Sequence, residues 1–151
     1  MGYETNIEGL GEGNYRASWF HSTSSGSGGS SMKSSIGGAI SIDQDFGENF
    51  AGFLYWSRRA DRKLPLKQNL SAGMMMRQPF GIEHDLVGLA FSWGQPDGGQ
   101  NKDDQFGIEA FWRFQVLDRV EFSPILQYVI KPANSGTDTR LIGGMRLRIY
   151  L

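Results

Sequence analysis

The segment Leu141-Ile142-Gly143-Gly144-Met145-Arg146-Leu147-Arg148-Ile149-Tyr150-Leu151 alternates strictly in two-residue steps. Leu141, Gly143, Met145, Leu147, Ile149 and Leu151 share one register; Arg140, Arg146, Arg148 and Tyr150 share the other. Successive side chains of a strand point to opposite faces, so this is a β-strand with one apolar and one charged face. It runs to the last residue given, where the ends of most domains fray.

The same period recurs along the chain. About eight segments of roughly ten residues alternate in this way, a length that crosses a bilayer when tilted. They cover Asn14–His21, Gly37–Phe46, Asn49–Arg58, Lys67–Gln78, Leu86–Gln95, Gln105–Val116, Val120–Lys131 and the closing segment. Within the third, Phe50, Gly52, Leu54 and Trp56 oppose Ala51, Phe53, Tyr55 and Ser57. In the sixth, Phe106, Ile108, Ala110, Trp112 and Phe114 oppose Gln105, Glu109, Arg113 and Gln115. Almost no window carries a helical period.

The connections alternate too. Ser22–Ser35, Arg59–Pro65, Pro96–Asp104 and Pro132–Asp138 are long and polar, whereas Gly47-Glu48, Gly81–His84 and Leu117–Arg119 are short. Short turns on one side and long loops on the other fit an outer-membrane barrel with periplasmic turns and extracellular loops. Trp19, Trp56, Trp93 and Tyr128 stand on the apolar register shortly before long loops, which predicts one interfacial girdle. Trp112, on the same register, is a fifth interface aromatic, and Phe50, Phe114 and Phe122 belong to a lower girdle. A soluble barrel or sandwich has the same alternation, but its exterior is dense in Lys and Glu. Here the second register is Gly, Ser, Ala, Gln and Arg, with Phe53, Tyr55 and Phe111 among them.

The expected fold is therefore all-β: an eight-stranded antiparallel up-and-down transmembrane barrel over residues 13–151, preceded by a periplasmic segment, residues 1–12. Composition agrees. A mean hydropathy of -0.37 is low because only alternate residues meet lipid. No run approaches the roughly 18 apolar residues of a membrane helix. The net charge of -1 gives no electrostatic case for nucleic acid. With 0 cysteines and 2 histidines, disulfides and thiolate or histidine-rich metal sites are excluded, and neither metal nor cofactor is expected. Met1-Gly2-Tyr3-Glu4 lacks the apolar core of a secretory leader, so the expectation is a mature chain whose leader has been removed.

Several stretches resemble the carbohydrate-selective porins of OprB type. They include Gly13-Asn14-Tyr15-Arg16 with Trp19-Phe20-His21, Ser41-Ile42-Asp43-Gln44, and Leu70-Ser71-Ala72-Gly73 leading to Pro79-Phe80-Gly81. Further along are Asp85 to Phe91, Glu109-Ala110-Phe111-Trp112-Arg113-Phe114-Gln115 and Pro124 to Pro132, the last two being the most specific. The resemblance spans most of residues 13–151 and matches the C-terminal part of that family in order. It implies a bacterial outer-membrane protein, passive sugar uptake and a polar, charged lumen. The chain departs from the family in having about half of its sixteen strands.

Eight strands make a barrel whose interior side chains just fill. Arg16, Asp43, Tyr55, Arg77, Glu109, Arg113, Glu121, Lys131, Arg140, Arg146 and Arg148 are the expected lumen residues. Glycines at 37, 73, 88, 107 and 144 would make room for them, and Glu109, Glu121 and Asp43 would bridge the arginines, since buried charges must be paired. The first expectation is thus a structural, self-associating mini-barrel with a filled lumen. The alternative is a channel for sugars or small polar solutes, closed by oligomerisation. Ala17, Gly38, Gly52, Ala72 and Ala110 are small residues on the lipid register where neighbouring copies could meet. The expected partners are thus outer-membrane lipid, further copies of the chain and a sugar solute.

Other chemistry is weaker. His21 beside Ser22-Thr23-Ser24-Ser25 has no acid clearly placed to orient it, so no catalytic residue is assigned. Gly26-Ser27-Gly28-Gly29-Ser30 lacks the lysine of a phosphate loop. Asp97, Asp103 and Asp104 read as a solvated loop rather than a cation site, and His84 as a solvated turn residue. Met74-Met75-Met76 straddles both registers and reads as packing.

Overall fold

The computed structural model describes residues 1–24, 33–60, 66–97, 103–133 and 135–150. They form one antiparallel sheet whose spatial order follows the sequence: β1 (Gly2–Ile7), β2 (Gly11–Ser24), β3 (Lys33–Phe46), β4 (Phe50–Arg59), β5 (Leu66–Arg77), β6 (Leu86–Pro96), β7 (Gln105–Leu117), β8 (Val120–Ile130) and β9 (Thr139–Ile149). β2 to β9 are the eight anticipated segments, with ends moved by at most four residues. Period-two patterning on a one-layer sheet leaves little for tertiary context to override.

Two expectations are corrected. The strands number nine, not eight: residues 2–7 lie within the segment expected to precede the barrel, yet pair with β2 from Gly2↔Arg16 to Ile7↔Gly11. The sheet is also open, beginning at β1 and ending at β9 without a pairing between them. Eight strands would close only around a lumen small enough to be packed solid. The polar face instead carries Phe20, Phe53, Tyr55, Met75, Leu86 and Phe111 besides its charged groups. β1 moreover occupies the edge of β2 that β9 would need. The filled mini-barrel therefore lacks the enclosure it requires.

Proline apart, Ala51 is the only buried aliphatic or aromatic side chain among the described residues. Leu89, Leu126, Leu141 and Met145 on the apolar face are 60%, 53%, 68% and 77% exposed. A continuous exposed apolar sheet face far exceeds the patches that soluble monomers tolerate. β9 is exposed along its whole length.

The connections after β2, β4, β6 and β8 leave from one end of the sheet and those after β1, β3, β5 and β7 from the other; the expected short link fails at β5–β6, whose span 78–85 is as long as 97–104 and 131–138. The β5–β6 connection holds the 3-10 turn Pro79–Gly81. Loop residues 25–32, 61–65, 98–102 and 134 lie outside the described residues, as does Leu151, so the expectations for Ser25, Gly26–Ser30 and Leu151 fall there too.

Candidate functional site

Strand register assembles the polar face row by row. One row reads Arg16, Ser41, Tyr55, Ser71, Ser92, Gly107, Val129 and Arg140 from β2 to β9. The next, toward the short turns, reads Asn14, Asp43, Phe53, Gly73, Ala90, Glu109, Gln127 and Ile142. Between these rows lies a groove of about 510 Å³, lined by Phe53 and Tyr55 on one flank and Gln105, Glu109 and Gln127 on the other, with Ser71 and Ser92 between. The two faces of this groove offer rings and hydrogen-bonding groups together. Gln127 donates to Glu109 across the β7–β8 pair.

A second, smaller cavity of about 260 Å³ lies nearer the short-turn end and collects the charges. Arg113, Glu121, Arg146 and Arg148 all line it. Arg148 Nη1 donates to Glu121 Oε2 at 3.3 Å and to the Tyr150 hydroxyl at 3.2 Å. Arg113 Nε stands 3.9 Å from Glu121 Oε1, an ion-pair distance too long for a hydrogen bond. That nitrogen is shielded from solvent and has no hydrogen-bond acceptor. Arg146 makes no ion pair among the described residues.

The other expected lumen residues are distributed as follows. Arg77 reaches Asp45 Oδ1 at 2.6 Å and the Glu48 carbonyl at 3.2 Å, which ties β5 to the β3–β4 turn. Arg16 and Asp43 are exposed on the polar face near the β1 edge. Arg140 donates to Thr137 and Ser135 at the loop end. Lys131 lies just beyond β8 with φ 49°, and its ammonium holds Asp103 at 2.8 Å. That hydrogen bond, together with the Asp103 charge, raises the Lys131 pKa above its ordinary value. Of the carboxylates expected to bridge arginines, Glu121 does so. Glu109 instead accepts from Gln127, and Asp45 occupies the pairing role anticipated for Asp43. Charge type was readable from sequence, but the partner depends on register, which only the folded sheet fixes.

Three of the five glycines expected to clear space for charge do something else. Gly37, Gly73 and Gly88 lie directly opposite Phe20, Phe53 and Phe111, and each ring folds over its glycine. Arg59 also covers the Phe20 ring, 5.1 Å from its centroid. Aromatic cover over cross-strand glycine is a known way of pinning register. The Phe-Gly pairing was present in the sequence, but invisible without the strand alignment.

On the apolar face, Trp56 and Trp93 both neighbour Leu70 and so share a row. Trp19, opposite Gly38, sits one pleat closer to the long loops, and Tyr128, opposite Ile108, one pleat closer to the middle. The line of aromatics thus drifts in a single direction from β2 to β8, as staggering in a tilted wall requires. Trp112 is at the opposite end, beside the short turns, opposite Val87. Each of two indoles donates to a carboxylate at its own end: Trp93 to Asp104 at 2.9 Å, Trp112 to Asp85 at 3.0 Å. Asp85, buried, also accepts from the Gln115 backbone at 3.4 Å. Asp85, Asp45 and Gln127 were not singled out from sequence; nothing local marks them.

His21 is exposed at the upper end of β2. Asp103 and Asp104 are engaged by Lys131 and Trp93, and no cluster of metal-ligating side chains occurs among the described residues.

Searches among curated proteins and among solved structures returned no match. A family model for the carbohydrate-selective porins of OprB type matches residues 3–151, nearly the whole chain, β1 included. Alternation, the loop asymmetry and a polar face opposite an exposed apolar one find a common explanation in that match: the chain belongs to the OprB family of carbohydrate-selective porins.

Proposed function

We propose that this chain forms part of the wall of an outer-membrane porin through which sugars and other small polar solutes diffuse passively. The observation that carries this reading is the division of an open sheet into an exposed apolar face and a grooved polar face. Lipid satisfies the first, and water and solute the second. In the groove, Phe53 and Tyr55 can meet the C–H faces of a pyranose while Gln105, Gln127 and Glu109 exchange hydrogen bonds with its hydroxyls.

Unpaired strand edges are not tolerated in the hydrocarbon region, so β1 and β9 need neighbours there. Oligomeric closure supplies them in this reading. Every adjacent pair is antiparallel, so β1 and β9 run in the same direction. Copies inserted the same way up and joined β9 to β1 would make a parallel seam. If β1 leaves its place, β9 of one copy meets β2 of the next antiparallel, the pairing that outer-membrane barrels use throughout.

Planar-bilayer recording tests the function. Stable conductance steps that a disaccharide lowers reversibly, and that Arg113→Ala widens, are expected. Failure to conduct after insertion would reject the channel.

A further inference from the structure

Among the described residues, the β5–β6 connection is the most contorted segment. Within seven residues Gln78, Phe80 and His84 all have positive φ, at 52°, 59° and 67°. Such angles are uncommon for any residue with a side chain and rarer for an aromatic one. They are held by a dense set of bonds. Gln78 N–H donates to the Asp85 carbonyl, Gly81 N–H to the Gln78 carbonyl and Ile82 N–H to the Pro79 carbonyl. Pro79 is fully buried, and the buried Asp85 carboxylate is anchored by Trp112 and the Gln115 amide.

This framework turns Phe80 outward. Phe80 is 85% exposed, and Ile82 nearby is 48% exposed. A turn that merely joined two strands in water would have no use for a rigidly displayed phenylalanine. Backbone strain that persists because its surroundings over-determine it marks a functional position. The Phe80 ring lies 6.1 Å from the ring of Trp112, so it continues the apolar face beyond the strand ends.

We propose that this turn is a lipid anchor: Phe80 and Ile82 insert into the acyl–headgroup boundary of the leaflet on the short-turn side, extending the girdle of Trp112. The occupant is phospholipid because the surface is continuous with the lipid-facing sheet. Glu83 and His84 follow immediately and are exposed, which gives the turn a wet side next to its apolar one. The anchor fixes the depth of the wall at its lower edge. It rests on the membrane reading above.

The absence of native cysteine makes the test clean. Phe80→Cys, Ile82→Cys, Glu83→Cys and Leu126→Cys, each in the full chain and nitroxide-labelled, are inserted into phosphatidylethanolamine–phosphatidylglycerol vesicles. Spin relaxation by oxygen is then compared with relaxation by a water-soluble nickel chelate. Leu126, in the middle of the apolar face, calibrates the lipid value. Oxygen-dominated relaxation at positions 80 and 82, with chelate-dominated relaxation at 83, is the expected result. Chelate dominance at 80 and 82 while Leu126 stays oxygen-dominated overturns the anchor alone. Protection from both reagents at 80 and 82 also overturns it, since protein then covers the turn. Chelate dominance at Leu126 overturns the membrane reading and the anchor with it.

Discussion

The ring of Phe53 lies across Gly73, its directly paired neighbour, with Cε1 2.5 Å from where a β-carbon would stand. The Leu89 carbonyl is 2.9 Å from the same point, so backbone as well as a side chain bars substitution. Gly73→Ala is expected to destabilise the sheet by about 1–3 kcal/mol through overpacking. Adding Phe53→Ala should recover only part of that loss, because the carbonyl remains. Urea unfolding of the single and double variants in detergent measures both.

Among the described residues, Glu121 is the one carboxylate that serves two arginines, at 3.9 Å and 3.3 Å. Glu121→Gln leaves Arg113, Arg146 and Arg148 around a cavity with less compensating charge. Rings of fixed charge set ion preference. The reversal potential in a salt gradient should move toward anions by a few-fold in permeability ratio, and an unchanged potential would place this cavity outside the conduction path.

Asp85 holds the Trp112 indole and the Gln115 amide from a buried position. Asp85→Ala strands both donors, at a cost of about 1–3 kcal/mol. Trp112→Phe removes one of them and should cost less. Thermal unfolding of the two variants in one detergent decides the order.

Lys131 clasps Asp103 across the loop end, and its raised pKa fixes the sign of the pH effect. A raised folded-state pKa contributes stability fully below the ordinary lysine value of 10.5 and loses it as pH climbs through the folded value. Loop-end mobility measured by a spin label at Ala133→Cys should therefore be flat from neutral to mildly alkaline pH and increase only in strongly alkaline solution. Because the pair is exposed, added salt should weaken it.

Free edges at β1 and β9 give a further expectation. Amides of β9 directed away from β8 should exchange rapidly in dilute detergent and become protected in the assembled, membrane-inserted state. Rapid exchange in both states would mean that no strand pairs with β9.

The strands themselves were legible because alternation is a local property. A strand half in lipid and half facing water must change polarity at every residue, and β2 to β9 do so without help from distant contacts. The closing strand was the plainest case, with Leu141, Met145 and Leu147 against Arg146 and Arg148. β1 was missed because Gly2-Tyr3-Glu4-Thr5-Asn6-Ile7 is short and weakly apolar; it is held by pairing to β2 rather than by its own pattern. Girdle aromatics could be named, but that Trp56 and Trp93 share a row, with Trp19 nearer the long loops and Tyr128 nearer the middle, emerged only once register was known.

Sequence alone thus determined the eight strands β2 to β9, the identity of the two faces and the family resemblance, each encoded residue by residue. Tertiary structure decided the rest: that the sheet stays open, that Asp45 and not Asp43 pairs with an arginine, that phenylalanines cover the glycines, and that Phe80 is thrust outward. Those outcomes depend on which residues stand opposite one another across strands far apart in the chain. Register is a relation between segments, and no single segment contains it.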